Sequence, residues 1–410
     1  MVFSSPTFLF LFLPLVLVLH LVLGKRLRNA GLLAASLLFY AWGEGFLVAI
    51  MLLSIATNWG LGLWVARARA AGGGKRAVAV SVAFNLGLLV TFKYANWIWA
   101  SLSSLLGALG LMDGGLPPMA EVLGPPLEAL GLTDGSLPAD WGIRLPIGIS
   151  FFTFQAMSYV IDVYRGEAEI QRNPVHFGVY IALFPQLIAG PIVRYRDVAQ
   201  QIRERTVDLT GFAWGVRRFV VGLGKKMLIA NVVGHAADRI FALTPAELTT
   251  SAAWLGLVCY TLQIYFDFSG YSDMAIGLGR MLGFRFLENF RFPYVSRSVT
   301  EFWRRWHISL STWYRDYLYI PLGGSRRGPG RTYLNLLIVF ALCGLWHGAS
   351  WSFLVWGLFH GAFLVVERLG LGAALERRPA VLRHAYLLAV VMTGWVFFRA
   401  ETLTQALEYL

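Results

Sequence analysis

Residues Thr332 to Val366 read TYLNLLIVFALCGLWHGASWSFLVWGLFHGAFLVV, without a single Lys, Arg, Asp or Glu. The stretch divides into two apolar runs, 332–346 and 351–366, around Cys343-Gly-Leu-Trp-His-Gly-Ala-Ser350. Two such runs in succession predict a pair of helices in a bilayer, where a full crossing takes about 20 residues. Outward from this pair the pattern recurs over 7–23, 30–66, 77–101, 145–163, 177–193, 212–234, 252–284 and 385–398, about ten hydrophobic segments in all. Of the 410 residues, 57% are hydrophobic and 14% charged, whereas a soluble domain carries about 25% charged residues. The expected fold is an all-α polytopic membrane protein, a single membrane-embedded domain over 1–410. A soluble enzyme, a secreted disulfide scaffold and a disordered chain are excluded. Cys259 and Cys343 each lie in apolar sequence, which leaves no disulfide framework and no zinc quartet.

Charge sets the orientation. The chain carries 35 basic and 23 acidic residues, a net +12. In a membrane protein this excess marks loops kept in the cytoplasm, and no nucleic-acid partner is expected. The run from Thr7 to Leu23 has no basic residue before it and no small-residue cleavage site after it, so it reads as a span and not as a signal peptide. Lys25, Arg26 and Arg28 follow it directly, which puts the N-terminus outside. The 30–66 stretch is interrupted at Gly43-Glu44-Gly45 and closed by Arg67, Arg69, Lys75 and Arg76, predicting two helices that go out and back. From Tyr94 to Gly142 there is no Lys or Arg, while Asp113, Glu121, Glu128, Asp134 and Asp140 are acidic. Residues 102–143 therefore read as an extracytoplasmic loop. Run 177–193 contains Pro185, Gly190 and Pro191 and has arginines on both flanks, so it reads as a segment that dips in and leaves by the same face.

Titratable groups inside apolar runs are costly and mark function or close pairing. Among seven histidines, His20 and His360 read as packed, and His176, His235 and His384 border spans. His307 and His347 stand apart. His307 sits in Glu301-Phe-Trp-Arg-Arg-Trp-His-Ile-Ser-Leu-Ser-Thr-Trp-Tyr-Arg-Asp316, where a helical period places Trp303, Trp306, Leu310, Trp313 and Tyr317 on one stripe. His307, Ser311, Tyr314 and Leu318 form the adjoining stripe, and Glu301 can pair with Arg305. His347 lies between Gly344 and Gly348, which permit either close helix approach or a break in the helix. A break would present the imidazole and free backbone N–H groups to a cavity. Cys343, one turn before His347, leaves a thiolate–imidazole dyad as an alternative, although an apolar setting disfavours the thiolate. Asp267 and Asp273 read as partners for nearby Arg, and Asp162 is spaced to pair with Arg165.

No G-x-S-x-G elbow, P-loop, H-E-x-x-H or H-x-x-x-x-D pattern is present. The chain resembles instead the membrane-bound O-acyltransferase family, in particular its alginate-acetylating branch. The residues that carry this likeness are Met1-Val-Phe-Ser-Ser5, Phe92-Lys-Tyr-Ala-Asn96, Leu145-Pro-Ile-Gly-Ile-Ser-Phe151 and Ser158-Tyr-Val-Ile-Asp-Val-Tyr-Arg-Gly166. They continue through Phe184-Pro-Gln-Leu-Ile-Ala-Gly-Pro191 and Tyr265-Phe-Asp-Phe-Ser-Gly-Tyr-Ser-Asp-Met-Ala275. The likeness is densest at Thr300-Glu-Phe-Trp-Arg-Arg-Trp-His-Ile-Ser-Leu-Ser-Thr-Trp313 and Gly344-Leu-Trp-His-Gly348. It implies a bundle with re-entrant pieces around a funnel or tunnel in a bacterial inner membrane. His347 is then the catalytic residue and His307 its partner, with Trp303, Trp306, Ser311, Tyr314 and Trp346 contacting substrate. Relatives continue past the position of Leu410, so a trimmed chain is an expectation.

Acyl transfer from a thioester to a hydroxyl needs a base, an oxyanion stabiliser and exclusion of water. Histidine titrates near neutral pH and suits the first task, and backbone N–H groups near Gly348 suit the second. The resemblance implies no tightly bound cofactor. The donor is acetyl-CoA or an acyl carrier protein, on the cytoplasmic side where Arg-rich loops attract anions. The acceptor is an exported, alginate-like polysaccharide, reached directly or through a periplasmic acetyltransferase partner, with membrane lipids around the bundle. Acylation of teichoic acid, peptidoglycan or cellulose, and a non-enzymatic transporter, remain as alternatives.

Overall fold

The computed structural model describes residues 2–112, 115–129, 142–188 and 190–410. The N-terminal half forms α1 (Leu13–Val22), α2 (Arg28–Glu44), α3 (Val48–Ala70), α4 (Lys75–Leu89), α5 (Ala95–Ala108), α6 (Met119–Ala129) and α7 (Ile149–Arg165). The middle holds α8 (Pro174–Ala182), α9 (Phe184–Leu187), α10 (Tyr195–Arg203), α11 (Leu209–Gly224), α12 (Asn231–Phe241) and α13 (Thr250–Met281). Then come α14 (Val299–Arg305), α15 (Ile308–Tyr314), α16 (Pro329–His347), α17 (Trp351–Val366), α18 (Gly372–Glu376), α19 (Ala380–Arg399) and α20 (Leu403–Tyr409). Among the described residues there is no strand.

Four continuous helical stretches are long and apolar enough to cross a bilayer: Arg28–Ala70, Lys75–Ala108, Trp351–Glu376 and Ala380–Arg399. The first folds back as expected. Its break falls at Gly45, whose φ of +57° is open to glycine at little cost. The first apolar run keeps its expected bounds to within one residue. It forms a helix over Phe8–Val22 only, about 22 Å at 1.5 Å per residue, short of a 30 Å hydrocarbon layer. Within the expected loop 102–143, α5 runs on to Ala108 and α6 occupies Met119–Ala129; the rest of it lies partly outside the described residues.

The dipping segment forms as α8 and α9. Asn173 caps the first by accepting from the N–H of Val175 at 2.9 Å, with Pro174 in the first turn. Phe177 to Leu187 are all buried, so this short backbone is covered by protein as irregular structure at membrane depth requires. Helices α11 and α13 pack through glycines: a Cβ on Gly215 would stand 2.7 Å from the carbonyl oxygen of Gly277, and one on Gly277 2.6 Å from that of Gly215. Asp273 on α13 pairs with Arg218 at 2.7 Å and Lys225 at 2.6 Å, and Asp267 pairs with Lys226. Lysine thus shares the role expected of arginine alone.

Side-chain contacts sort the loops onto two faces. On one, Arg205 donates to Asn29 Oδ1 at 2.8 Å, Arg69 to Val163 O at 3.4 Å and Arg165 to Asp316 O at 3.1 Å, while Arg194 pairs with Asp316 at 2.7 Å. The basic segments that the charge pattern assigned to one side therefore meet there. On the opposite face Ile147 N–H donates to Glu44 Oε2 at 3.2 Å, and Asn96 bonds both backbone groups of Ile143. The expected Asp162–Arg165 pair does not form. Tyr317 donates to Asp162 at 2.7 Å, and Arg165, at the end of α7, reaches outward to residue 316 instead.

Candidate active site

The sequence predicts one amphipathic helix through Glu301–Asp316, and the structure breaks it at His307. Helix α14 ends at Arg305 and α15 starts at Ile308, with His307 in the left-handed region at φ +44°. For a residue other than glycine or asparagine this costs about 1–2 kcal/mol. The cost is offset by a clamp from the preceding irregular segment. Asn289 accepts the Ile308 N–H on its main-chain oxygen at 3.0 Å, and the Ser309 N–H and Oγ–H on its side-chain oxygen at 3.2 and 2.9 Å. Ser309 in turn accepts the Ile192 N–H at 3.0 Å. The Glu301–Arg305 pair forms as expected, at 2.9 Å.

The clamp also fixes the imidazole. Asn289 Nδ2 donates to Ser272 Oγ at 3.2 Å, so its oxygen is the atom turned to His307 Nδ1, 3.2 Å away. Nδ1 then carries the proton and Nε2 the lone pair. Asn289 is fully buried and His307 is 1% exposed. Nε2 has no partner among the described residues.

His347 is the last residue of α16, and the helix stops there because Gly348 turns to extended backbone. Both readings of the flanking glycines hold. A Cβ on Gly344 would collide with the Phe353 carbonyl, so this glycine admits α17, while Gly348 ends the helix. The Gly348 N–H, expected to be a free donor, instead bonds Gly344 O at 3.3 Å. The exposed carbonyls of this helix end are taken by side chains. Tyr314 donates to Leu342 O at 3.0 Å, Tyr94 to Leu345 O at 2.8 Å and Lys93 to Trp346 O. The His347 ring packs edge-on to Trp356 and Phe398, both 5.1 Å away.

Two cavities meet at these histidines. The wider, about 550 Å³, is lined by Lys93, Leu145–Phe151, Gln263, Asp267, Trp346 and other aromatics. The narrower, about 190 Å³, is lined by Trp303, Leu310, Ser311, Tyr314, Arg315, Tyr319, Cys343 and Arg368. Trp306, His307 and His347 line both. Leu145–Ile149 belong to the acidic face and Arg315 to the basic one, so the cavities approach from opposite sides. The Trp346 indole packs against both imidazoles, 6.0 Å from His307 and 5.0 Å from His347. All seven predicted site residues thus line one cavity or both. His20 and His360 are buried and line neither, although His360 packs against Trp303 and Trp356 of their walls, and His384 bonds Ser296 O at 3.1 Å.

Comparison with known proteins bears on this arrangement directly. The profile of the MBOAT, membrane-bound O-acyltransferase, family matches residues 152–374, which include both histidines. The chain is also 47% identical over 405 residues to Probable alginate O-acetylase AlgI of Pseudomonas putida, covering 98% of this chain and 78% of that one. The chain belongs to the membrane-bound O-acyltransferase family. It is 32% identical to the peptidoglycan O-acetyltransferase of Helicobacter pylori, over all of this chain and 79% of that protein. It is 28% identical to the teichoic acid D-alanyltransferase of Bacillus subtilis over 53% of this chain and 58% of that one. In this multi-pass O-acyltransferase, three side chains that line or support the site were missed by sequence reasoning. Asn289 lies in irregular sequence where no period flags it. Lys93 and Tyr94 stood in a quoted motif, but nothing in the spacing pointed them at a helix end more than 250 residues away.

Proposed function

We propose that this acyltransferase moves an acetyl group from a thioester donor on the basic, cytoplasmic face to a hydroxyl acceptor on the opposite face. The observation that carries the reading is that His307 and His347 line two cavities approaching from opposite sides. The narrow cavity suits the slender arm of a thioester, and Arg315 and Arg368 at its wall suit the phosphates of acetyl-CoA or of a carrier-bound arm. The wide cavity, walled by Trp, Tyr and Phe, has room for a sugar ring. The name of the 47%-identical relative supports an alginate-like polysaccharide as acceptor; that it is an exported one, reached directly or through a periplasmic acetyltransferase partner, is part of the proposal.

In this mechanism the acceptor hydroxyl and the thioester carbonyl meet at the Trp346 wall. His347 takes the hydroxyl proton as oxygen attacks the carbonyl carbon. His307, its Nδ1 held by Asn289, offers the Nε2 lone pair to a neighbouring hydroxyl of the acceptor and so orients the attacking one. The buried, aromatic surroundings keep water from competing. No bound cofactor is required.

Reconstitution with radiolabelled acetyl-CoA and oligoalginate, comparing wild type with His347→Ala, tests the reading. General-base catalysis contributes about 10²–10⁴-fold, and a loss of that size without unfolding is the expected result. A folded His347→Ala protein that keeps most of its transfer overturns it.

A further inference from the structure

Lys93 sits in a π-helical turn, Val90–Tyr94, between α4 and α5. Its ammonium donates to Ser150 Oγ at 3.0 Å and to the Trp346 carbonyl, and lies 5.6 Å from the centre of the Trp346 ring. The same ring packs against both histidines. Lys93, His307 and His347 therefore surround one indole, and all three line the wide cavity. Lys225 and Lys226 each have a carboxylate partner, whereas Lys93 has none among the described residues. Two of its three N–H groups are engaged, both by neutral oxygens. Ser150, accepting from Lys93, keeps its own proton to donate.

An ammonium inside a membrane protein without a counter-ion is costly. It is also the group that gains most when an anion appears beside it, because the surroundings screen little. A thioester carbonyl is neutral, and its oxygen becomes anionic only during transfer. A cation unpaired at rest and paired in the transition state stabilises that state selectively. The Gly348 N–H, the donor expected from sequence, is committed to Gly344 O.

We propose that Lys93, with the Ser150 hydroxyl beside it, is the oxyanion-stabilising group of this acyltransferase. The inference rests on the acyl-transfer reading above. The acceptor oxygen bonds to the thioester carbon while its proton passes to His347, and the carbonyl π pair moves onto oxygen. Lys93 and Ser150 donate hydrogen bonds to that alkoxide. The carbonyl then re-forms, the carbon–sulfur bond breaks, and the departing thiolate takes the proton from the His347 imidazolium.

The test uses the full chain in proteoliposomes, with radiolabelled acetyl-CoA as donor and oligoalginate as acceptor. Removing one oxyanion donor costs about 10²–10³-fold in turnover. K93M is expected to lose that much kcat while its KM for acetyl-CoA and its thermal midpoint in detergent stay near wild type. K93R, which keeps the charge, recovers part of the loss. K93M combined with H347A is expected to be slower than H347A alone, because an oxyanion donor goes on contributing after the base is lost. A K93M protein with near-normal kcat overturns the proposal. So does one whose loss comes with a raised KM or a lowered thermal midpoint, since that is a helix cap only. An H347A protein that keeps most of its transfer, or a wild type without turnover, fails the acyl-transfer reading itself and the proposal with it.

Discussion

At the scale of single residues the site depends on Asn289, whose side chain orients one imidazole and closes one turn. Asn289→Ala removes the acceptor for the Ser309 N–H and Oγ–H and for His307 Nδ1. Leaving buried donors unpaired costs about 1–3 kcal/mol, so a lowered thermal midpoint is expected together with reduced acetyl transfer. Unchanged transfer in that variant contradicts the role given to His307. His307→Asn separates backbone from chemistry, because asparagine tolerates the left-handed region. That variant is expected to keep a near-normal thermal midpoint and to lose turnover by about 10-fold or more. Both histidines were legible in the sequence because a titratable ring between apolar neighbours has few innocent explanations. Asn289 was not, since an amide in irregular sequence carries no period, and only the folded chain brings residue 289 to residue 307.

Among elements, the α16–α17 hairpin decides where His347 points. Gly344 faces Gly357 across it, and a side chain on either would strike a main-chain carbonyl of the other helix. Gly344→Val forces the pair apart and, as overpacking does, costs about 1–3 kcal/mol. Its expected signature is a lower thermal midpoint and lost transfer, whereas Tyr94→Phe, which removes one hydrogen bond to Leu345 O, costs about 0.5–1.5 kcal/mol. Equal stability of Gly344→Val and wild type would show that the helices have room to spare. This hairpin was readable from its two apolar runs and its glycines. The interruption at His307 was not, because an unbroken stripe of aromatics fits a helix equally well on paper. The decision was made by a clamp from a distant segment, which no local pattern contains.

The whole molecule has two chemically different faces, and its orientation follows from charge. With Cys259 and Cys343 replaced by Ala, a single cysteine at Ser325, on the arginine-rich side, and one at Ile147, which is 47% exposed, report the two ends. A membrane-impermeant maleimide is expected to label Ile147→Cys in intact spheroplasts and Ser325→Cys only in inverted vesicles. Labelling of Ser325→Cys from outside reverses the assignment of donor and acceptor cavities. The sequence announced which loops share a side, because lysine and arginine are concentrated in them. It was silent on how the helices stand around the cavities, since a bundle's lateral order is fixed by contacts such as those of Gly215 with Gly277, which leave no period in the chain.

The indole of Trp346 walls the wide cavity beside both histidines. In the proposed mechanism, reactants arriving from opposite faces need only meet between the two histidines that line both cavities, and neither has to pass. On that proposal two carbons cross, and the spent thiol is returned to the pool that supplied it. A cell using such a device modifies material it has already exported without spending any carrier on the far side.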